Sequence, residues 1–155
     1  PVKCSAGELV DLAGRCELPL MADESLLTIA DAKILLDRPG RIWWNVRIST
    51  NGGLRRALAL ENLASENGVR FTIGCMVGES GILSSAQRLL LQVGPVPEFV
   101  EGNYGKFLLS DDLFTGRFRM GLGGRLGALD MRGRFTQDPA MERVRRYGAH
   151  VATVK

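Results

Sequence analysis

Two short stretches hold the residues best placed to do chemistry. Met21-Ala22-Asp23-Glu24-Ser25 is a brief apolar run that ends in adjacent carboxylates. Asn45-Val46-Arg47-Ile48-Ser49-Thr50-Asn51-Gly52-Gly53 lies one strand-helix unit later and ends in amides, hydroxyls and a glycine pair. Each reads as a strand with a polar tip followed by a helix, and C-terminal strand ends are where parallel α/β folds carry their chemistry. Asp23 and Glu24 could hold a hard cation through oxygen, although one carboxylate and its neighbour are too few for octahedral magnesium. Thr50 offers a hydroxyl, which cannot act as a general base near neutral pH without strong activation. Gly52-Gly53 exposes backbone N–H groups at a helix start, as an anion cradle does. The spacing matches no P-loop, so a tight strand-to-helix turn is the plainer reading.

Four further positions qualify more weakly. Cys75 sits among apolar neighbours, and the single histidine, His150, is remote in sequence. A nucleophilic thiol needs an activating base, so a buried, inert cysteine is expected. Glu79 precedes a helix start and suits either a site rim or the positive end of a helix dipole. Glu101 and Asn103 follow a fourth strand and fit either a ligand contact or ordinary rim polarity.

The elements that must position these residues alternate along the chain. Residues 6–17 place Leu9, Leu12, Ala13 and Cys16 on one helical face. Leu18 to Ala22 predicts a strand buried on both sides. Thr28 predicts an N-cap, with Asp31 completing an acidic capping box. Its helix stops at Pro39-Gly40. Ile42 to Ile48, rich in β-branched and aromatic residues, predicts the second strand, with Trp43 and Trp44 on opposite faces. A helix from Leu54 ends at Asn67-Gly68. Val69 to Val77 predicts a third strand, Ile82 to Val93 a helix ended by Gly94-Pro95, and Glu98-Phe99-Val100 the start of a fourth strand. Four such repeats imply a parallel sheet with right-handed crossovers, hence an α/β fold. Beyond them, Phe118 to Leu129 is glycine-rich with strand character, and Pro139 to Tyr147 predicts a short amphipathic helix.

The bulk properties narrow the classes. A chain of 155 residues suits one domain with a real core, and its 45% hydrophobic and 24% charged content is ordinary for a soluble globular protein. No apolar run reaches 18 residues, so no membrane span is expected. Pro1-Val2-Lys3-Cys4-Ser5 is not followed by an apolar signal-peptide core, and a start on proline reads as a cut or processed chain. Cys4, Cys16 and Cys75 lack CxxC spacing; with one histidine, a zinc site is not expected, and reduced cytoplasmic thiols are. Residues 1–116 carry eleven basic and fourteen acidic groups, whereas residues 117–155 carry nine and three. The basic tail includes Arg117, Arg119, Arg125, Arg132, Arg134, Arg143, Arg145 and Arg146. They are dispersed among glycine and apolar residues, and only Phe118, Phe135 and Tyr147 could stack on bases, so a solvated or interface-forming tail is expected rather than nucleic-acid binding.

Taken together and in order, the motifs resemble the C-terminal half of the barrel of the enolase superfamily, in its mandelate racemase/muconate lactonizing, dipeptide-epimerase-like branch. Met21 to Ser25 resembles the fifth-strand motif, Asn45 to Gly53 the sixth, Gly74 to Ser84 the seventh strand and its helix start, and Glu101-Gly102-Asn103-Tyr104 the eighth-strand end. The resemblance implies a partial (β/α) barrel over residues 1–116 and a basic extension over 117–155 that packs on the barrel or a partner. It implies abstraction of a proton α to a carboxylate, with Mg2+ stabilising the enediolate. By the same resemblance, Asp23 is the third magnesium ligand and Thr50 stands at the position of the sixth-strand lysine base. Glu24, Cys75, Met76, Glu79, Glu101 and Asn103 face the substrate, a small carboxylate such as a dipeptide or N-acyl amino acid. A Lys-x-Lys motif, two metal ligands and a capping domain belong to parts of the family absent from these residues. The expectation is a stretch of a racemase, epimerase or cycloisomerase that is inactive by itself. The alternative is a non-catalytic assembly module that closes a barrel as a homo-oligomer or with a complementary half-barrel chain.

Overall fold

The computed structural model describes residues 3–102, 104–113 and 139–149. The elements run α1 (Ala6–Arg15), β1 (Leu20–Ala22), α2 (Ile29–Leu35), β2 (Ile42–Val46), α3 (Leu54–Glu66), β3 (Phe71–Ile73), α4 (Gly81–Val93), β4 (Phe99–Val100), α5 (Gly105–Leu108) and α6 (Met141–Tyr147). The four strands pair in sequence order, all parallel. This is the α/β architecture that alternating elements imply. No helix among the described residues is long and apolar enough to cross a membrane.

Local chemistry accounts for the helix boundaries. The Thr28 hydroxyl accepts from Asp31 N–H while the Asp31 carboxylate accepts from Thr28 N–H, so α2 starts on a full capping box. Ser5 and Glu8 build the same box on α1, a signature the sequence reading passed over. The hydrogen bonds from Ser5 hold the Glu8 carboxyl below its ordinary range. At the other end of α3, Gly68 takes φ +65°, the left-handed conformation that a glycine adopts without a Cβ penalty.

The described residues fall into two compact units, one of residues 3–76 and 86–102, the other of 77–85, 104–113 and 139–149. The first holds the sheet. On one sheet face Ala22, Ile42, Trp44, Val46 and Ile73 are wholly buried, with α1 against β1 and α3 against β2. Ala32 and Leu35 of α2, and Ala57, Leu60 and Ala64 of α3, complete this core.

The opposite face corrects the sequence expectation. Strand β1 is not buried on both sides: Met21 is 47% exposed, and Phe99 on β4 is 62% exposed. On that face the side chains of Met21 and Phe99 meet solvent. Trp43, between them, stacks on Phe99 with ring centroids 6.4 Å apart and carries the Arg70 guanidinium 5.0 Å from its ring. The strands are also shorter than expected. β2 ends at Val46, and β3 covers Phe71–Ile73 rather than 69–77. Cys75 lies past the end of β3 and is half-buried, so the expected buried strand cysteine is not found.

In the second unit, Gly81 N–H at the start of α4 donates to both carboxylate oxygens of Asp112, at 2.9 and 3.0 Å. Arg143 of α6 pairs with Asp111 at 2.9 Å and donates to the Asp112 carbonyl. The helix expected over 139–147 is present as α6. The strand-like reading of 118–129, most of the basic tail and His150 lie outside the described residues.

Candidate functional site

Parallel register places a polar layer across the opposite face at the C-terminal strand ends. Ala22 pairs with Trp44 and Asn45 with Thr72, so Asp23, Asn45 and Thr72 fall side by side. The Asn45 amide donates to Asp23 Oδ1 at 3.1 Å, and the Thr72 hydroxyl donates to Asn45 Oδ1 at 3.2 Å. Gly74 makes room for this layer. A Cβ there would collide with the Asn45 amide, so any other residue would push Asn45 off Asp23.

Arg47 lies two residues beyond Asn45 and therefore on the same face. Its Nη2 is 2.6 Å from Asp23 Oδ1 and 3.8 Å from Glu24 Oε1. Its side chain is 8% exposed, against 36% for Asp23 and 61% for Glu24. Nη1 donates to the thioether of Met76 at 3.2 Å. Burial lifts the Asp23 carboxyl above its ordinary range; Arg47 pulls it back and the neighbouring Glu24 adds to the rise.

A buried amide sets this geometry. Asn51 Oδ1 accepts from Arg47 N–H at 2.8 Å, and Asn51 Nδ2 donates to the Leu26 carbonyl at 2.7 Å. Asn51 thus ties the turn after β2, which carries Arg47, to the turn after β1, which follows Asp23 and Glu24. The glycine pair that follows has φ of +82° and +102°, which is why the turn needs glycine at both positions. Farther along the sheet, Gln87 of α4 donates to the Glu101 carbonyl and fixes the exit of β4.

The structure brings Asp23, Glu24 and Met76 together around Arg47. Thr50 is half-buried in the β2–α3 turn, and its hydroxyl donates to the Arg47 carbonyl at 3.3 Å. The cation that meets Asp23 is Arg47, which sequence reasoning missed, as it missed Asn45 and Asn51. Glu101 is exposed at the β4 exit, Glu79 lies in the other compact unit, and Asn103 falls outside the described residues. A signal for Arg47 was available: a basic residue two positions beyond a strand asparagine shares its face, and that face carries Asp23.

These residues can hold an anion against a fixed positive charge. They do not fit a magnesium centre by themselves. Octahedral magnesium takes several hard oxygens, whereas Asp23 Oδ1 is already engaged by a guanidinium and an amide. Among the described residues no group of three His, Cys, Asp or Glu side chains could surround a metal ion.

A family model described as enolase C-terminal domain-like matches residues 1–133. The L-Ala-D/L-Glu epimerase of Escherichia coli K12 is 38% identical over 76 residues, 49% of this chain and 23% of its own length. The chain thus spans about a quarter of the length of that curated relative. The dipeptide epimerase of Methylococcus capsulatus, solved with Mg and the dipeptide L-Arg-D-Lys, is 30% identical with a TM-score of 0.66, covering 81% of this chain and 36% of that one. A mandelate racemase/muconate lactonizing enzyme from Roseovarius nubinhibens ISM superposes with a TM-score of 0.76 over 96% of this chain and 39% of its own. At 20% identity that likeness is of fold alone.

Proposed function

The chain belongs to the enolase C-terminal domain-like family, and from that premise we propose that it supplies strand-end residues to a racemase, epimerase or cycloisomerase that abstracts a proton α to a carboxylate. The carrying observation is the polar layer Asp23–Asn45–Thr72 with Arg47 above it, at the C-terminal ends of parallel strands. In this reading the substrate is a dipeptide or N-acyl amino acid, of the kind named for the Escherichia and Methylococcus proteins. Asp23, Glu24 and Met76 line the carboxylate end of the substrate, while Cys75 and Glu101 are assigned to its remainder. A magnesium ion such as the Methylococcus protein binds would require Asp23 to leave Arg47 and other carboxylates to join it.

The residues present divide the work. Asp23 and Arg47 set local charge, Asn45 and Thr72 orient Asp23, and Asn51 holds the two tips in register. Thr50 cannot remove the α-proton, because an alcohol bonded to a backbone carbonyl has no base to activate it. Arg47 cannot either, since a guanidinium keeps its proton in proteins. The base therefore comes from elsewhere in the working enzyme, and the 155-residue chain alone is inactive.

Loss of the α-proton signal in D2O, followed by NMR across dipeptides and N-acyl amino acids with magnesium present, tests this. The full product of the encoding gene should exchange α-protons and lose at least about 100-fold on Asp23→Asn. Exchange that survives Asp23→Asn, or exchange catalysed by the 155-residue chain itself, would overturn the reading.

The exposed apolar side chains of the sheet favour a second reading, an assembly module. Met21 and Phe99 lie exposed beside Trp43, a surface that further strands would bury. Light scattering on the purified chain separates the two, since a soluble monomer argues against assembly. In either reading Cys4, Cys16 and Cys75, an odd number without CxxC spacing, suit a reducing, cytoplasmic setting.

A further inference from the structure

We propose that Arg47 is a receptor for a ligand carboxylate, with the Met76 side chain as its exchangeable cover. The proposal rests on the reading above and specifies how that site meets its substrate.

Arg47 is a buried cation that is short of acceptors. A guanidinium carries five N–H donors. Among the described residues, one meets Asp23 at 2.6 Å and one meets the Met76 thioether at 3.2 Å. Glu24 at 3.8 Å is beyond hydrogen-bond reach. Nε is buried with no hydrogen-bond partner among the described residues. A buried charge is costly unless its donors are satisfied, and a thioether is a weak acceptor. The site can therefore take one more oxygen acceptor than the described residues provide.

The cover can move. Met76 is 42% exposed, lies past the end of β3, and has the flexible unbranched side chain that repacks most readily. A carboxylate oxygen replacing its sulfur at Nη1 would exchange a weak neutral acceptor for a charge-assisted one. Asp23 would stay on Nη2, oriented by Asn45, so the backbone need not shift. The charge count selects the ligand. Asp23 already offsets Arg47 and Glu24 stands nearby, so a monoanionic carboxylate is tolerated and a phosphate dianion is repelled. Arg47 thus acts by binding and orienting, in keeping with its inability to serve as a base.

The test is a titration of the 155-residue chain with N-acetylglycine, observed at the side-chain N–H signals of Arg47 and the ε-methyl signal of Met76 by NMR. Both should move together and saturate, with a dissociation constant on the order of 1 mM. Arg47→Met should weaken binding at least about tenfold. Met76→Ala, which removes the cover and keeps the charge, should tighten it. Arg47→Lys guards against misfolding: it retains the charge but not the fork, and should bind more weakly than the native chain and better than Arg47→Met. Three results would each overturn the proposal: no saturable shift at Arg47, an equal shift with chloride at matched ionic strength, or tighter binding of inorganic phosphate. Saturable carboxylate binding by a gene product that exchanges no α-protons would leave Arg47 a receptor and remove only the catalytic reading. Exchange by a gene product that is unaffected by Arg47→Met would do the reverse.

Discussion

The two faces of one four-stranded sheet are built on opposite principles. Under the helices, Ala22, Ile42, Trp44, Val46 and Ile73 are sealed from water, and their alternation along each strand is plain core packing. On the other face the side chains are graded along the strand direction. Met21 and Trp43 lie toward the N-terminal ends, and Asp23, Asn45, Thr72 and Arg47 toward the C-terminal ends, with Phe99 in register beside Thr72. One face is sealed core and the other sets exposed apolar side chains beside a largely buried polar layer, so substitutions of Trp44 and Phe99 should differ sharply in cost.

The largest effect should come from pairing Trp44→Ala with Phe99→Ala. The first removes a wholly buried indole and should cost about 3–5 kcal/mol in urea unfolding. The second truncates a side chain that is 62% exposed and should stay within about 0.5 kcal/mol. Equal losses would mean that the second face is covered in solution.

Next is Asn51→Ala. Its amide satisfies Arg47 N–H and the Leu26 carbonyl inside the protein, and stranding both should cost about 3 kcal/mol. Amide chemical shifts should then change at both strand tips, not only at the β2 tip where the residue sits.

A smaller, pH-dependent effect belongs to Glu61, which lies wholly buried on α3 beside Gly94 with neither carboxylate oxygen partnered among the described residues. Burial pushes its carboxyl up from 4.5 to about 8. Between those values the folded chain keeps a proton that the unfolded chain has lost, so stability falls as pH rises through this window and is flat above it. Glu61→Gln should flatten that slope, removing most of the difference between pH 5 and pH 9. An unchanged slope by thermal unfolding would place the titrating group elsewhere.

The smallest is Ser5→Ala, which removes half of the α1 capping box and should cost about 1 kcal/mol without disturbing the Asp23–Arg47 pair.

Much of the fold was legible because its causes are local. Thr28 with Asp31, the Gly52-Gly53 turn and the Asn67-Gly68 stop follow from the backbone chemistry of a few neighbouring residues. The alternation of helix and strand and the parallel sheet follow from pattern and motif. Lengths were less legible. Val69 to Val77 looks like one strand, but the paired segment stops at Ile73, and Gly74 beyond it is the glycine that leaves space for Asn45. Burial on both sides of β1 was misread because an apolar run does not say whether a second layer exists to cover it.

What sequence alone determined is thus the order and kind of the elements, their caps and turns, and one carboxylate at a strand end. Tertiary structure decided which cation that carboxylate meets. Asp23 and Arg47 come together only when β1 and β2 pair in the observed register after a helical crossover. A shift of one residue would turn Arg47 to the helix-covered face. That register is set by burying Ala22, Trp44 and Val46 together with Asn51 bridging the two tips, and both are properties of the packed chain rather than of any short stretch of it.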